Sequence, residues 1–377
     1  LMDKPTLLLN PGTGWSATTP MWLTLQRDNR YSHCGHKKEP LWLAQVHNPD
    51  DPFLIKDMLG KYVNQNVQYW GFDIDDTGKW YRDRVYHDIH FFGIYPEWHD
   101  NPYGELCEDT REWSSYQTQI KYTDKTYHYS KEYLQWLFEY PMTIDKYIDY
   151  YTRHWNFIKD AGYHAVADFS NFNINLPKSF YKKYKKKLTD AFNIKVLIEY
   201  RDPIRRLFSE LGGVLQLREA PTPMNCEITD LWHKHNSMGG TKQHNEYFIQ
   251  MCCKYNIPNF GMGDYTANYH KFADIFGKEN VYCVIMEELW NDRLDVPVKK
   301  LSEFLNFKIQ KLHRNCYFPD LGNKAIQHEE LRDQWSSDLE TLEQSTVDKV
   351  MPHFTPIYYS WRKEFGTIPT TWNNPYV

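Results

Sequence analysis

A chain of 377 residues with a formal net charge of −5 can bury a large core, and its charge gives it no general attraction to nucleic acid or anionic membrane. No stretch approaches the roughly 18 consecutive apolar residues of a membrane helix, and no cationic start leads into an apolar run, so neither a transmembrane segment nor a signal peptide is expected. The seven cysteines are odd in number and form no C-x-x-C pair, which argues against zinc and against a complete disulfide framework; a reducing, cytoplasmic setting is the expectation.

Thr6–Leu9 reads as a short buried strand that runs into Pro11-Gly12-Thr13-Gly14-Trp15-Ser16-Ala17-Thr18-Thr19 and then the helical-looking Pro20–Leu25. A strand feeding a glycine-containing turn and a helix gathers backbone N–H groups around one point, an anion site to which Ser16, Thr18 and Thr19 add hydroxyls. Trp15 stands where such a cradle would carry a lysine. Gly35-His36-Lys37-Lys38-Glu39-Pro40 follows about one helix and a turn later. Residues 73–140 are dense in Tyr, Trp, Asp and His without a clear period. They are expected to form an insertion over the sheet, within a single domain spanning 1–377.

A helix is predicted over Ile144–Lys159, a second strand over Tyr163–Asp168 and a helix over Lys178–Ala191. The basic run Lys182–Lys187 in that helix reads as a solvated face. The third strand, Ile194–Tyr200, leads into Arg201-Asp202-Pro203-Ile204-Arg205-Arg206-Leu207-Phe208-Ser209. Helices over Ile204–Leu217, Lys242–Tyr255 and Tyr265–Phe276 precede the fourth strand, Val281–Met286, and a helix follows over Val298–Leu305. Short aliphatic strands separated by helical patterns predict an α/β fold of three layers, a central, mainly parallel sheet with flanking helices. Ligands of such sheets sit at the carboxyl ends of the strands.

Arg201 is placed at one of those ends, where its guanidinium can fork onto a phosphate while Ser209 donates from the helix. The same residues also make an ordinary helix start, with Asp202 as N-cap and Pro203 at the first helical position. Gly12-Thr13-Gly14-Trp15-Ser16-Ala17 also fits the dinucleotide pattern G-x-G-x-x-A, but Glu39, the acidic residue at the right distance, follows no apolar strand; this speaks against a dehydrogenase. G-x-x-x-x-G-K-[ST] is absent, which speaks against a kinase or ATPase. His87, His90, His99 and His128 lack metal-ligand spacing, and no metal is expected. The aromatics between Trp80 and Trp136 could stack on sugar rings or pack a cover over the strand ends.

Together these segments resemble the sulfotransferases that use 3′-phosphoadenosine 5′-phosphosulfate (PAPS). Trp15-Ser16-Ala17-Thr18-Thr19 stands for the family's K-S-G-T-T, which binds the 5′-phosphosulfate, and Arg201–Ser209 matches the family's R-D-P-x-x-R-x-x-S, which binds the 3′-phosphate, in full. Lys38-Glu39-Pro40 resembles the K-E-P of the branch acting on heparan-type glycans. The resemblance implies Glu39 as general base with Lys38 beside it, and His36 as the alternative base. Asp168-Phe169-Ser170 stands where that branch has E-K-S-P, which implies Asp168 at the active site and puts Phe169 in place of a second lysine. Met351–Tyr358 resembles the family's last helix, and Gly322-Asn323-Lys324 its late basic loop, which brings Lys324 to the nucleotide. The implied nucleotide set is Gly12, Gly14, Trp15, Ser16, Ala17, Thr18, Thr19, Arg201, Ser209 and Lys324. PAPS would give up its sulfuryl group to an acceptor hydroxyl on a carbohydrate, without a metal. Replacement of both lysines leaves open a nucleotide- or glycan-binding protein that does not transfer.

Overall fold

The computed structural model describes residues 4–13, 16, 18–34, 42–49, 136, 142–216, 241–254, 263–289, 295–310, 312 and 342–372. The chain divides into two compact units. One comprises Leu1–Pro11, Thr19–Val196 and Ile309–Leu321; the other comprises Gly12–Thr18, Leu197–Lys308 and Gly322–Val377. The architecture is α/β, with a five-stranded sheet and flanking helices, as the alternation of patterns predicts. The strands are β1 (Thr6–Leu9), β2 (Ser32–His33), β3 (Ala165–Asp168), β4 (Asn193–Tyr200) and β5 (Val281–Ile285), in the order β2-β3-β1-β4-β5. β1 runs parallel to both β3 and β4, with Leu9 opposite Asp168 on one side and Val196 on the other. A strand covered on both edges and both faces must be apolar throughout, and Leu7, Leu8 and Leu9 are buried.

Four strands fall where the aliphatic runs place them. β2 escaped the sequence reading because two residues carry no alternation; it is held by parallel pairing of Ser32 and His33 to Ala165 and Val166. β3 begins two residues later than predicted, since the N–H groups of His164 and Ala165 both donate to the Tyr31 carbonyl before the ladder starts. β5 ends at Ile285, and Met286–Leu289 is a helical turn.

In the first unit, α1 (Thr19 onward of Thr18–Leu23) continues as a π-helical turn, Thr24–Asp28, and is followed by α2 (Trp42–His47), α3 (Ile144–Ile158) and α4 (Lys178–Ala191). Thr143 caps α3, its hydroxyl accepting from Lys146 N at 3.2 Å. Tyr147, Tyr150, Tyr151, His154 and Ile158 recur at helical spacing and are all buried, so one stripe of α3 faces the core. Trp42 meets this stripe edge-on, 4.6 Å from the Tyr150 ring centre. Lys182, Lys183, Lys185, Lys186 and Lys187 of α4 are exposed, as a solvated face requires.

In the second unit, α5 (Pro203–Gln216), α6 (Thr241–Lys254), α7 (Tyr265–Phe276), α8 (Asp295–Leu305) and α9 (Gln344–Phe365) surround a second aromatic core. Tyr200, Tyr265, Trp361 and Trp372 are its centre, with Tyr200 4.5 Å from Tyr265 and Trp361 4.9 Å from Trp372. Among the described residues Cys34, Cys252, Cys253 and Cys283 are free thiols, and no helix is long and apolar enough to cross a membrane. The insertion expected over 73–140 lies outside the described residues apart from Trp136.

Candidate functional site

The second unit brings together the two segments that the sequence assigns to one anionic ligand. β4 delivers Glu199, Tyr200 and Arg201 at its carboxyl end, and α5 starts two residues later. Arg201 Nη1 donates to Ser209 Oγ at 2.7 Å, so the first and last residues of the R-D-P-x-x-R-x-x-S segment meet across the helix start. Both are part-buried.

The turn beneath them is heavily determined. Asp202 is fully buried; its Oδ1 accepts from Arg205 N at 3.0 Å, which is the N-cap of α5, and its Oδ2 accepts from Tyr358 OH at 2.9 Å. Asp202 N donates to Glu287 Oε1 at 2.8 Å, and the other Glu287 oxygen accepts from Trp372 Nε1 at 3.1 Å. Tyr265 OH donates to the Arg201 carbonyl at 2.8 Å. Burial raises the Glu287 pKa first of all, and the donors from Asp202 N and Trp372 pull it back. Burial also raises the Tyr358 hydroxyl, with the adjacent Asp202 carboxylate adding to it. Asp202 thus serves as helix cap, as the ordinary reading of this segment has it, and the same residue holds the turn next to Arg201.

The glycine loop is tied to the same strand end. Thr13 N donates to the Glu199 carbonyl at 3.2 Å and Thr13 Oγ1 donates to it at 2.7 Å. Because that hydroxyl hydrogen is committed to a carbonyl, Ser16 Oγ is the donor in its 2.6 Å bond to Thr13 Oγ1. Ser16 N returns to the Thr13 carbonyl at 3.1 Å. Gly12 is closely packed: a Cβ there would overlap the Glu199 carboxylate and the Thr18 methyl, so one of these side chains would have to shift. Thr18 is buried and opens α1, with Thr19 next in the helix. Gly14, Trp15, Ala17, His36, Lys38, Glu39 and Lys324 lie outside the described residues.

Asp168, in the first unit, ends β3 fully buried. Its Oδ1 accepts from Ser170 N at 3.0 Å, and its Oδ2 accepts from Tyr147 OH at 2.9 Å and Asn173 Nδ2 at 3.1 Å. Its backbone carbonyl accepts from Asn10 N at 2.8 Å, just past β1. Burial raises its pKa, and these donors oppose the rise. Phe169 is fully buried, so the residue standing at the position of the second lysine is part of the core.

Sequence reasoning passed over Glu199, Glu287 and Thr13. For Glu199 a signal existed: it is the acid in Ile194–Tyr200, a strand otherwise fit for a dry interior apart from Lys195. A cavity of about 360 Å³ in the second unit, lined in part by Tyr282, Cys283, Glu288, Val296 and Lys300, contains none of the motif residues.

No family model matches the chain, and no curated protein does. Among solved structures, the chain is similar to a sulfotransferase from Alicyclobacillus acidocaldarius, at 15% identity and a TM-score of 0.42, over 99% of this chain and 100% of that one. It is also similar to the sulfotransferase domain from the Synechococcus PCC 7002 olefin synthase, at 13% identity and a TM-score of 0.38, over 95% of each.

Proposed function

We propose that this chain binds PAPS and moves its sulfuryl group to an acceptor hydroxyl on a carbohydrate. The observation that carries the reading is the 2.7 Å bond between Arg201 and Ser209 on a turn held from four other side chains, Asp202, Tyr265, Glu287 and Tyr358. A guanidinium presents five donors in a fixed fork, and Arg201 together with Ser209 would meet the 3′-phosphate. Thr18 and Thr19 would hold the 5′ group, joined by Ser16 once its hydroxyl turns away from Thr13 Oγ1, and Lys324 would supply a further cation. Glu39 would take the proton of the acceptor hydroxyl, with Lys38 beside it and His36 as the alternative base. Asp168 is assigned to holding Ser170 and Asn173 in place, since its carboxylate already accepts three hydrogen bonds. The residues 73–140 would contact the acceptor, inside one domain of 1–377.

PAPS supplies an activated sulfuryl group, and the chain's part is to align it with the acceptor and to offset charge on the leaving phosphate without a metal. Buried Phe169 favours a second reading, a protein that binds the nucleotide without transfer, since loss of one such charge-stabilising donor costs on the order of 10²–10³ in rate. Calorimetry with 3′-phosphoadenosine 5′-phosphate (PAP) tests the shared part of both readings. Binding that weakens at least about tenfold in Arg201→Ala supports them; no binding by the unaltered chain overturns them. Transfer of labelled sulfate to a glycan acceptor then separates enzyme from binding protein.

A further inference from the structure

α4 carries more positive charge than a stable helix needs. Its 14 residues hold six lysines, Lys178, Lys182, Lys183, Lys185, Lys186 and Lys187, against one acid, Asp190. That is a net +5 in a chain whose total is −5. Phe180, Tyr181 and Leu188 turn into the core, and every lysine but the half-buried Lys178 is exposed on the opposite arc. Five pairs of these lysines stand three or four positions apart, as Lys182 and Lys186 do, where like charges meet along a helix and destabilise it. Lys178 adds a cation in the first turn, at the positive end of the helix dipole, where no acid stands. The exposed bridges Lys187–Asp145 and Lys186–Asp190 offset little of this, since water screens them. They leave Lys182, Lys183 and Lys185 without an acid among the described residues. At the far end of the helix the exposed Lys4 donates to the Thr189 carbonyl at 2.9 Å and lengthens the basic surface.

We infer that this face of α4 is a docking surface for an acidic polysaccharide, a thin chain bearing sulfate or carboxylate groups. Such a chain laid along the helix sets attraction against the repulsion between lysines and gives up its counterions on binding. What the face lacks selects among polyanions. A helix that lies in a membrane surface buries an apolar side there, and the apolar side of α4 is already in the core. Single-stranded nucleic acid is held by rings on which its bases stack. Of the rings in α4, Phe180 and Tyr181 are buried, and Tyr184 is half-buried with Lys183 Nζ 4.9 Å from its centre. A nucleic-acid duplex is wider than one helix and would spread onto a chain that is otherwise net −10. A single polysaccharide strand needs only a row of cations, and α4 offers one about 21 Å long. The inference stands apart from the nucleotide reading, because α4 holds none of the residues assigned to the nucleotide.

The test is calorimetry on the full chain at about 50 mM salt with three probes: a heparin-derived oligosaccharide, a thymidine oligonucleotide of equal charge, and vesicles containing phosphatidylserine. The oligosaccharide is expected to bind at least about tenfold more tightly than either of the others. Lys182→Gln, Lys183→Gln and Lys185→Gln combined should weaken it at least about tenfold. All three positions are exposed, so the fold should survive, as an unchanged circular dichroism spectrum would show. The same charge removed from other exposed positions, by Lys278→Gln, Lys308→Gln and Lys349→Gln combined, should change binding by less than about twofold. The inference is overturned if the unaltered chain does not bind the oligosaccharide, or binds the oligonucleotide or the vesicles as tightly. Neither outcome depends on a variant folding. Equal losses in the two triple variants overturn it as well, since net charge and not α4 would then be responsible. Failure of PAP to bind sinks the nucleotide reading and leaves this inference untouched.

Discussion

Asp202 commits both carboxylate oxygens and its backbone nitrogen to the turn that carries Arg201, and each commitment has a testable cost. Removing the Tyr358 hydroxyl takes one donor from a buried carboxylate, so Tyr358→Phe should lower stability by about 1–3 kcal/mol, read from the midpoint and slope of urea unfolding. Arg201 would lose part of its support in that variant and bind PAP less tightly. Gly12→Ala poses a steric question instead. Its Cβ would meet Glu199 Oε2 and Thr18 Cγ2, and overpacking of this kind costs about 1–3 kcal/mol. A variant as stable as the original in the same unfolding experiment would show that the carboxylate and Thr18 can withdraw freely.

Between elements, the pair His33 and His154 joins β2 to α3 through a 2.8 Å bond between Nδ1 and Nε2, with both rings buried. Tyr163 meets His33 edge-on and Tyr150 stacks on His154, so the surroundings are aromatic. Burial pushes the His33 pKa down to about 3 from an ordinary value of 6.5. The unfolded chain therefore takes up a proton below pH 6.5 that the folded chain refuses until about pH 3. Stability from this group is constant above pH 6.5 and falls with pH below it by about 1.4 kcal/mol per unit, or about 2 kcal/mol by pH 5. Asp168 and Glu287, whose raised pKa values mean tighter proton binding in the folded chain, gain stability as pH falls and work in the opposite direction. Comparing the unaltered chain with His33→Gln in urea at pH 7.5 and pH 5 isolates the histidine contribution. The variant is expected to show the smaller acid loss, and an identical loss would refute the assignment. α9 shows how packing overrides local preference: Pro352 and Pro356 each remove a helical N–H, yet the helix runs through both. Val347, Val350, Phe354, Ile357, Tyr358 and Trp361 lie along one buried stripe, and burial of that stripe offsets the missing bonds.

For the whole molecule, a ligand that binds only the folded chain must stabilise it by mass action. PAP at 100 times its dissociation constant should add about 2.7 kcal/mol, visible as a rise in the thermal midpoint that Arg201→Ala cuts to about half or less at the same concentration. The architecture was legible in the sequence because short aliphatic runs and helical stripes are local patterns. β1, β3, β4 and β5 and helices such as α4 and α7 stand where those patterns put them. The R-D-P-x-x-R-x-x-S segment was legible for the same reason, being nine consecutive residues that run from the strand end into the first turns of the helix that Pro203 opens. β2 was not, since two residues have no period and exist as a strand only by pairing with β3. What tertiary structure alone decided is the set of partners far apart in the chain. Tyr358 reaches Asp202 across 156 positions and Thr13 reaches Glu199 across 186. Sequence shows an arginine and a serine in one nine-residue segment and a glycine turn without a lysine in another. Folding decides that Asp202 is used up in holding them, that Phe169 belongs to the core, and that a buried carboxylate underlies the loop, because hydrogen bonding and burial are properties of distance in space.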